Sequence, residues 1–180
     1  MNTCIAILRG INVSGQKLIK MQDLKLHLGK FEFFNIETYI QSGNVIFSSN
    51  EQNTKKIEAD VVKCIKANFG FEVPVIIRKA EEWIEVVNNN PFIKQPEIEV
   101  DKLHVVFLEK EPEKVYISKV EKKDFTPDEF LLNKKEIYLY CPNGYAKTKL
   151  SNNFFEKVLN QKATTRNWKT VNKILEIAIN

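Results

Sequence analysis

The chain has 180 residues with 43% hydrophobic and 28% charged side chains, proportions that are typical of a compact globular protein. Six glycines and six prolines, without any low-complexity tract, exclude the fibrous and disordered classes. Neither a signal peptide nor a long apolar stretch occurs, so the sequence predicts a cytoplasmic protein that does not span a membrane.

The net charge of +4 is unevenly distributed along the chain. Residues 1–31 carry five cations against one acid, and residues 144–180 carry seven cations against two acids, so both ends are basic and the middle is acidic. If the two ends meet in space, they form a positive pole that attracts phosphate groups or nucleic acid.

The first half of the sequence has the order strand, helix, strand, strand, helix, strand. These elements are predicted at residues 3–8, 20–30, 36–41, 45–49, 52–68 and 73–77, with a turn at residues 42–44. The order is the split βαβ pattern of ferredoxin-like domains.

The second half repeats that order more faintly. Its predicted elements are a strand at 102–109, a helix at 112–121 beginning at Pro112, a hairpin at 129–133 and 136–141, a helix at 151–159 capped by Ser151, and a final helix. The stretch ATTRNWKT, residues 163–170, is predicted to open this final helix, with Thr164 or Thr165 as its cap.

The repeat predicts an α+β fold of two ferredoxin-like lobes that arose by duplication. The first lobe is expected at residues 1–79, a helical linker at 80–101, and the second lobe at 102–180. The linker contains one short helix and a stretch between Pro91 and Pro96.

The loop after the first strand, LRGINVSGQK at residues 8–17, is the first candidate site. Gly10 and Gly15 have the spacing of a P-loop, but Gln16 stands where that motif needs lysine and Lys17 where it needs a hydroxyl for magnesium. What remains is a loop whose glycines allow backbone amides to face an anion beside two cations. The alternative is a wide turn with a surface arginine.

The turn QSGN, residues 41–44, is predicted to lie beside that loop. In a βαβ unit the first two strands run in the same direction, so their ends lie at the same edge of the sheet. Gln41 and Asn44 can then contact a ligand or orient Arg9, whereas ordinary hairpin chemistry is the alternative.

The basic C-terminal region supplies the other candidate residues. In the first turn of the predicted helix, Arg166 opposes the helix dipole by ~0.3–1 kcal/mol, and a bound anion relieves that conflict. The alternative is an ion pair with a carboxylate elsewhere, with Trp168 in the core. Lys147 and Lys149 follow a turn and either contact phosphate or are simply solvated.

Three blocks of the sequence, LRGINVSGQKLIKMQDL, TYIQSGNVIF and ATTRNWKTVNKI, resemble the bacterial family known as domain of unknown function 1697. The resemblance covers nearly the whole chain. It implies a cytosolic α+β protein of two ferredoxin-like lobes without an assigned function. The family's first block typically has glycine at the position of Ser14, and this chain departs from the family there.

The sequence therefore predicts a protein that binds a phosphate-bearing ligand, either a small molecule or nucleic acid, at a basic cleft between the lobes. The candidate ligand-binding residues are Arg9, Gly10, Asn12, Gly15, Lys17, Gln41, Ser42, Asn44, Lys147, Lys149, Thr165, Arg166 and Asn167. No cofactor or metal is predicted, because the histidines and cysteines lack ligand spacing. A small enzyme acting on a nucleotide or phosphorylated metabolite, and a protein-interaction adaptor, are the alternatives.

Overall fold

A computed structural model describes all 180 residues and contains eight strands and six α-helices. Two compact units divide the chain, one formed by Met1–Glu85 with Lys173–Asn180 and the other by Val86–Asn172. None of the helices has the length and apolar character needed to cross a membrane.

The first unit contains a four-stranded antiparallel sheet of order β2-β3-β1-β4 with two helices on one face. Its elements are β1 Asn2–Leu8, α1 Met21–Leu28, β2 Phe33–Tyr39, β3 Asn44–Ser49, α2 Thr54–Phe69 and β4 Val75–Lys79, followed by α3 Ala80–Asn88. Strands β1 and β2 both pair antiparallel with β3, so they run in the same direction, as predicted.

The sequence explains the local structure of this unit. Strand β1 is buried from Cys4 to Leu8, which fits an apolar run that lies at the centre of a sheet. Helix α2 begins at an Asn53 cap, which accepts from the amides of Lys55 and Lys56, and it ends at Gly70 with φ of 81°. One side of the sheet and the apolar faces of α1 and α2 form a single core.

The second unit repeats this arrangement with the strand order β6-β7-β5-β8. Its elements are β5 Leu103–Leu108, α4 Lys114–Glu121, β6 Glu129–Asn133, β7 Glu136–Tyr140, α5 Asn152–Leu159 and β8 Ala163–Asn167, and α6 Trp168–Ile179 follows β8. Short 3-10 turns lie at Val100–Lys102 and Tyr145–Lys147. The predicted cap of α5 is confirmed, because the Ser151 hydroxyl accepts from the amide of Phe154.

Equivalent hydrogen bonds support the duplication. At the end of β1 the amide of Leu8 donates to the carbonyl of Gly43 at 2.8 Å, and at the end of β5 the amide of Leu108 donates to the carbonyl of Lys135 at 2.9 Å. The fold is therefore α+β with two ferredoxin-like lobes, as the sequence predicted.

Several predicted element boundaries are wrong, and the second strand, predicted at 36–41, is Phe33–Tyr39. Residues 163–167 form strand β8 rather than the start of the last helix, because this segment completes the second sheet by pairing with β5. The helix predicted from Pro112 begins at Lys114, because Glu113 is extended and precedes the first helical residue.

Candidate functional site

The loop between β1 and α1, residues 9–20, forms a small hairpin of its own. Val13 and Gln16 pair as an isolated antiparallel bridge, and the amide of Asn12 donates to the carbonyl of Lys17 at 3.2 Å. At the tip, φ is 50° at Ser14 and 72° at Gly15, the two positive angles that a type I′ turn requires. Glycine adopts positive φ more readily than other residues, so this turn places backbone strain at Ser14.

Asn12 fixes the base of this hairpin through its side-chain amide. Its Nδ2 donates to the carbonyls of Ile19 at 2.9 Å and Gln41 at 2.8 Å, and its Oδ1 accepts from the amide of Ile19 at 2.8 Å. Each such bond contributes about 1 kcal/mol. The Asn12 amide therefore holds the β1–α1 loop against the turn between β2 and β3.

Gly43 makes this close approach possible. It has φ of 80°, and a Cβ atom there would lie 2.7 Å from Leu8 Cβ and 2.9 Å from Ile11 Cδ1. No other residue fits without moving the backbone. The predicted proximity of the β1–α1 loop and the 41–44 turn is confirmed by these contacts.

The other residues of the turn have different surroundings. Asn44 is fully buried, and its Nδ2 donates to the carbonyl of Tyr39 at 3.0 Å and to the Ser42 hydroxyl at 3.1 Å. Gln41 is exposed at the surface. Asn44 thus shapes the turn from inside, while Gln41 has a side chain that solvent or a ligand can reach.

Two of the three cations of the β1–α1 loop, Arg9 and Lys17, contact the segment that precedes β4. Arg9 is half-buried, and its amide donates to the carbonyl of Pro74 at 2.9 Å. Lys17 is exposed, and its ammonium donates to the carbonyl of Glu72 at 2.9 Å. The loop is therefore bonded at Arg9 and Lys17 to the segment that leads into β4.

A cavity of about 430 Å³ lies where the β1–α1 loop meets α1. Its lining residues are Lys20, Met21, Gln22, Thr38, Ile40 and Gln41. Lys20 occupies the N-cap position of α1 without forming a side-chain cap, so the cavity adjoins a helix start that no side chain caps. Ile40 has φ of 51°, an unusual conformation for a β-branched residue.

Sequence analysis identified only Gln41 among the residues that line this cavity. Lys20 had one signal, because the predicted helix opens on a lysine, and Ser, Thr, Asp or Asn is preferred where a helix begins. Gln22 and Thr38 had none, since their proximity depends on how the chain turns after β2.

In the second unit, Arg166 lies in strand β8 and is 8% exposed. Its Nη1 donates to the Thr164 hydroxyl at 3.0 Å and to the Thr165 carbonyl at 2.9 Å. Burial lowers the pKa of Arg166 to about 10, which leaves the guanidinium charged at neutral pH. The expected conflict with the helix dipole is wrong, because Arg166 precedes α6 and does not lie in its first turn.

The residues next to Arg166 form hydrogen bonds and packing contacts within the protein. Asn167 caps α6, since its Oδ1 accepts from the amide of Thr170 at 2.8 Å. The Thr165 hydroxyl accepts from Tyr145 at 2.9 Å and donates to Asn152 Oδ1 at 2.7 Å. Trp168 is 6% exposed, which agrees with the core alternative for that residue.

Arg78 occupies the position in the first unit that Arg166 occupies in the second. Arg78 pairs with Ile5 in the β1–β4 register, and Arg166 pairs with Val105 in the β5–β8 register. Each guanidinium donates to the carbonyl of the preceding residue, at 3.1 Å for Arg78. Sequence analysis missed Arg78, because strand β8, whose register reveals the equivalence, was not predicted.

Lys147 and Lys149 line a second cavity, of about 360 Å³, within the second unit. Asp124 and Asp128 line the same cavity, which brings carboxylates beside the two lysines that the sequence assigned to an anion. The predicted residues thus divide between the units: those from Arg9 to Asn44 belong to the first and those from Lys147 to Asn167 to the second.

The repeated strand order and the loops at the strand ends define a two-lobed ferredoxin-like protein with candidate cavities in the loops of each lobe. Residues 1–138 match the model of the family described as Protein of unknown function (DUF1697), and the chain belongs to this family.

Among solved structures, the conserved bacterial protein SP0830 from Streptococcus pneumoniae is similar in fold. It is 23% identical with a TM-score of 0.77, and the match covers 100% of this chain and 99% of that one. No curated protein matches the chain.

Proposed function

We propose that the first unit binds a small phosphorylated ligand in the cavity at the start of α1. The cavity is the observation that supports this proposal, because it combines three features that suit an anion. It adjoins a helix N-terminus that no side chain caps, it is lined by Lys20, and it has polar side chains at Gln22, Thr38 and Gln41.

The first turn of α1 supplies the amides for the phosphate. The first amides of a helix have no partner within it and carry the positive end of its dipole, so they attract an anion. Met21 and Gln22, the first two residues of α1, both line the cavity. Asp23 lies in the same turn but does not line it.

The charge and rigidity of the surroundings favour the same ligand. Residues 1–31 carry a net charge of +4, and Arg9, Lys17 and Lys20 all belong to the β1–α1 loop. The Asn12 side chain donates to the carbonyl of Gln41, so the wall of the cavity that contains Gln41 is fixed before a ligand binds.

The size of the cavity favours a small molecule over a nucleic acid strand. Pockets of ~300–1,000 Å³ hold drug-sized ligands, and this one is about 430 Å³. A nucleoside monophosphate or a sugar phosphate has suitable dimensions. We also infer a cytoplasmic location, because the three cysteines, Cys4, Cys64 and Cys141, are free and buried, as is typical of proteins in a reducing compartment.

Thermal-shift measurements with inorganic phosphate, sugar phosphates and nucleoside monophosphates test the proposal, followed by calorimetric titration of any compound that stabilises the protein. We expect at least one phosphorylated compound to bind and Lys20→Met to weaken it about tenfold or more, since a charge-assisted hydrogen bond contributes ~1.5–3 kcal/mol.

The matched control is Lys25→Met, because Lys25 is an exposed lysine on the same helix that does not line the cavity. It should bind the ligand as the wild type does. Equal loss in both variants, or no stabilisation of the wild type by any phosphorylated compound, would overturn the proposal. Single-stranded RNA and duplex DNA form a separate arm, in which tight binding with a steep salt dependence would favour a nucleic acid instead.

A further inference from the structure

The cavity of about 360 Å³ in the second unit is distinct from the proposed phosphate site. Two connections form it, one between α4 and β6 and the other between β7 and α5. Its lining residues are Asp124, Phe125, Thr126, Pro127, Asp128, Asn143, Lys147 and Lys149.

Both connections are longer than their counterparts in the first lobe. Residues 122–128 join α4 to β6, whereas residues 29–32 join α1 to β2. Residues 141–151 join β7 to α5, whereas residues 50–53 join β3 to α2. The two connections that are longer in the second lobe than in the first thus line the same cavity.

Hydrogen bonds fix the aspartate side of this cavity. Asp124 Oδ1 accepts from the amide of Thr126 at 2.9 Å and from its hydroxyl at 2.6 Å. The amide of Asp128 donates to the carbonyl of Phe125 at 2.9 Å. The Phe125 ring packs edge to face against Phe154, with centroids 5.4 Å apart, so the segment is anchored to the core of the lobe.

The lysine side is fixed as well. The amide of Lys147 donates to the carbonyl of Gly144 at 3.0 Å, and the amide of Leu150 donates to the Thr148 hydroxyl at 3.0 Å. That hydroxyl also donates to Asp128 Oδ2 at 2.6 Å, which joins the two connections. The cavity is therefore built by interactions within the chain, and a ligand does not have to order it.

The charges of the cavity are opposite in sign but do not pair with each other. Lys147 and Lys149 form no ion pair with Asp124 or Asp128, although all four line the same space. Lys149 still acts on Asp124 through space, and hydrogen bonds from Thr126 are the main reason that the pKa of Asp124 is lowered. Both signs of charge are thus available to a molecule in the cavity.

We propose that this cavity binds a small zwitterion that carries a protonated amine and a carboxylate. The amine contacts Asp124 and Asp128, and the carboxylate contacts Lys147 and Lys149. Phe125 and Pro127 supply apolar surface for the carbon chain between the two charged groups. This binding does not depend on the phosphate site of the first unit.

Ligands of a single charge fit the cavity less well. A simple anion would gain from the two lysines but would lie near two carboxylates, and a simple amine would meet the opposite problem. A zwitterion interacts favourably with both pairs of groups, and its two charges have to be separated by the distance across the cavity. The length of the ligand therefore becomes the basis of selection.

Calorimetric titration of the full chain at low ionic strength tests the proposal with glycine, β-alanine, γ-aminobutyrate and δ-aminovalerate. Propionate and propylamine are the matched ligands of single charge. We expect one chain length to bind best, and both single-charge ligands to bind at least tenfold more weakly than that zwitterion.

Two variants and one control assign the binding to the cavity. Asp124→Asn keeps the Oδ1 acceptor that bonds Thr126, and Lys149→Met removes an exposed ammonium, so both variants should keep the fold. Each should weaken the best zwitterion about tenfold or more, whereas Lys157→Met, an exposed lysine of α5, should not change it.

Amide chemical shifts measured with the same ligand give a second readout, with changes expected at residues 124–128 and 143–149. The proposal is wrong if no zwitterion binds, if propionate or propylamine binds equally well, or if Lys149→Met binds the zwitterion as tightly as the wild type and the Lys157→Met control do. If Asp124→Asn fails to fold, the result with Lys149→Met decides.

Discussion

The two lobes share a frame but differ at opposite ends of their sheets. The first lobe has the longer connection after its first strand, where residues 9–20 correspond to residues 109–113 of the second. The second lobe has its longer connections at the other end, in residues 122–128 and 141–151. The frame has thus been kept after duplication while each lobe acquired its own candidate site, as expected when function resides in loops on a rigid scaffold.

The largest expected difference between the lobes is the loss of stability on mutating the residue whose carbonyl accepts from the end of the first strand. This residue is Gly43 in the first lobe, where it accepts from Leu8, and Lys135 in the second, where it accepts from Leu108. We expect Gly43→Ala to lower the free energy of unfolding by about 2–4 kcal/mol, because its Cβ would lie 2.7 Å from Leu8 Cβ and its φ is 80°. Lys135→Ala, at the equivalent position of the second lobe, should cost less than about 1 kcal/mol.

Urea denaturation followed by circular dichroism measures both variants. Equal losses would mean that the close approach of the β1–α1 loop in the first lobe is not what requires glycine. A small loss in Gly43→Ala would show that the loop moves away easily, which would also weaken the case for a fixed cavity at Gln41.

A smaller loss of stability is expected from mutating the arginines that occupy equivalent positions in the two lobes. Arg78→Met and Arg166→Met should each lower the free energy of unfolding by about 2 kcal/mol, because each removes charge-assisted hydrogen bonds to a carbonyl. The same denaturation experiment measures the two losses, with Lys169→Met on the exposed surface of α6 as a control of little effect. A loss in only one variant would contradict the equivalence of the two arginines.

The smallest effect concerns pH and is confined to the second lobe. Burial lowers the pKa of His104 below its ordinary value, so the folded protein binds a proton less readily than the unfolded chain. The contribution of His104 to the free energy of unfolding is therefore fully present above a pH of about 6.5, the pKa of the unfolded chain. This contribution is lost as the pH falls toward the lower pKa that His104 has in the folded protein. The aligned residue in β1 is Cys4, and burial raises its pKa to about 11, so it stays neutral over this range.

His104→Phe tests this dependence, because an aromatic ring can still stack on Tyr145, whose centroid lies 4.8 Å from that of His104. The wild type should lose more stability than the variant between pH 7 and pH 5, because only the wild type carries the imidazole whose pKa is lowered by burial. Identical losses in chemical denaturation at the two pH values would exclude His104 as the source.

Sequence patterns predicted most of the fold because the helices and strands of the first lobe have strong periodicity and clear end signals. Strand β8 escaped prediction because Thr164 and Thr165 suit both a helix cap and a strand, and only pairing with β5 decides between them. Asn167 was predicted to lie in the first turn of the helix, whereas it caps that helix.

The sites were harder to predict than the fold. The loop and turn of the first lobe were placed together correctly, since topology alone brings their strand ends to one edge. Lys20 and Thr38 were not found, because a cavity depends on the exact path of two turns. The meeting of Asp124 with Lys149 could not be foreseen either, since it depends on connection lengths that no local pattern encodes.

The division of the chain into units has a consequence for synthesis and proteolysis. The first unit begins at Met1 but also includes Lys173–Asn180, so its final segment is synthesised only after the whole second unit has been synthesised. A nascent chain that has reached residue 172 still lacks part of its first unit. For the same reason, a single proteolytic cut between Pro91 and Pro96 nicks the chain without releasing either unit intact.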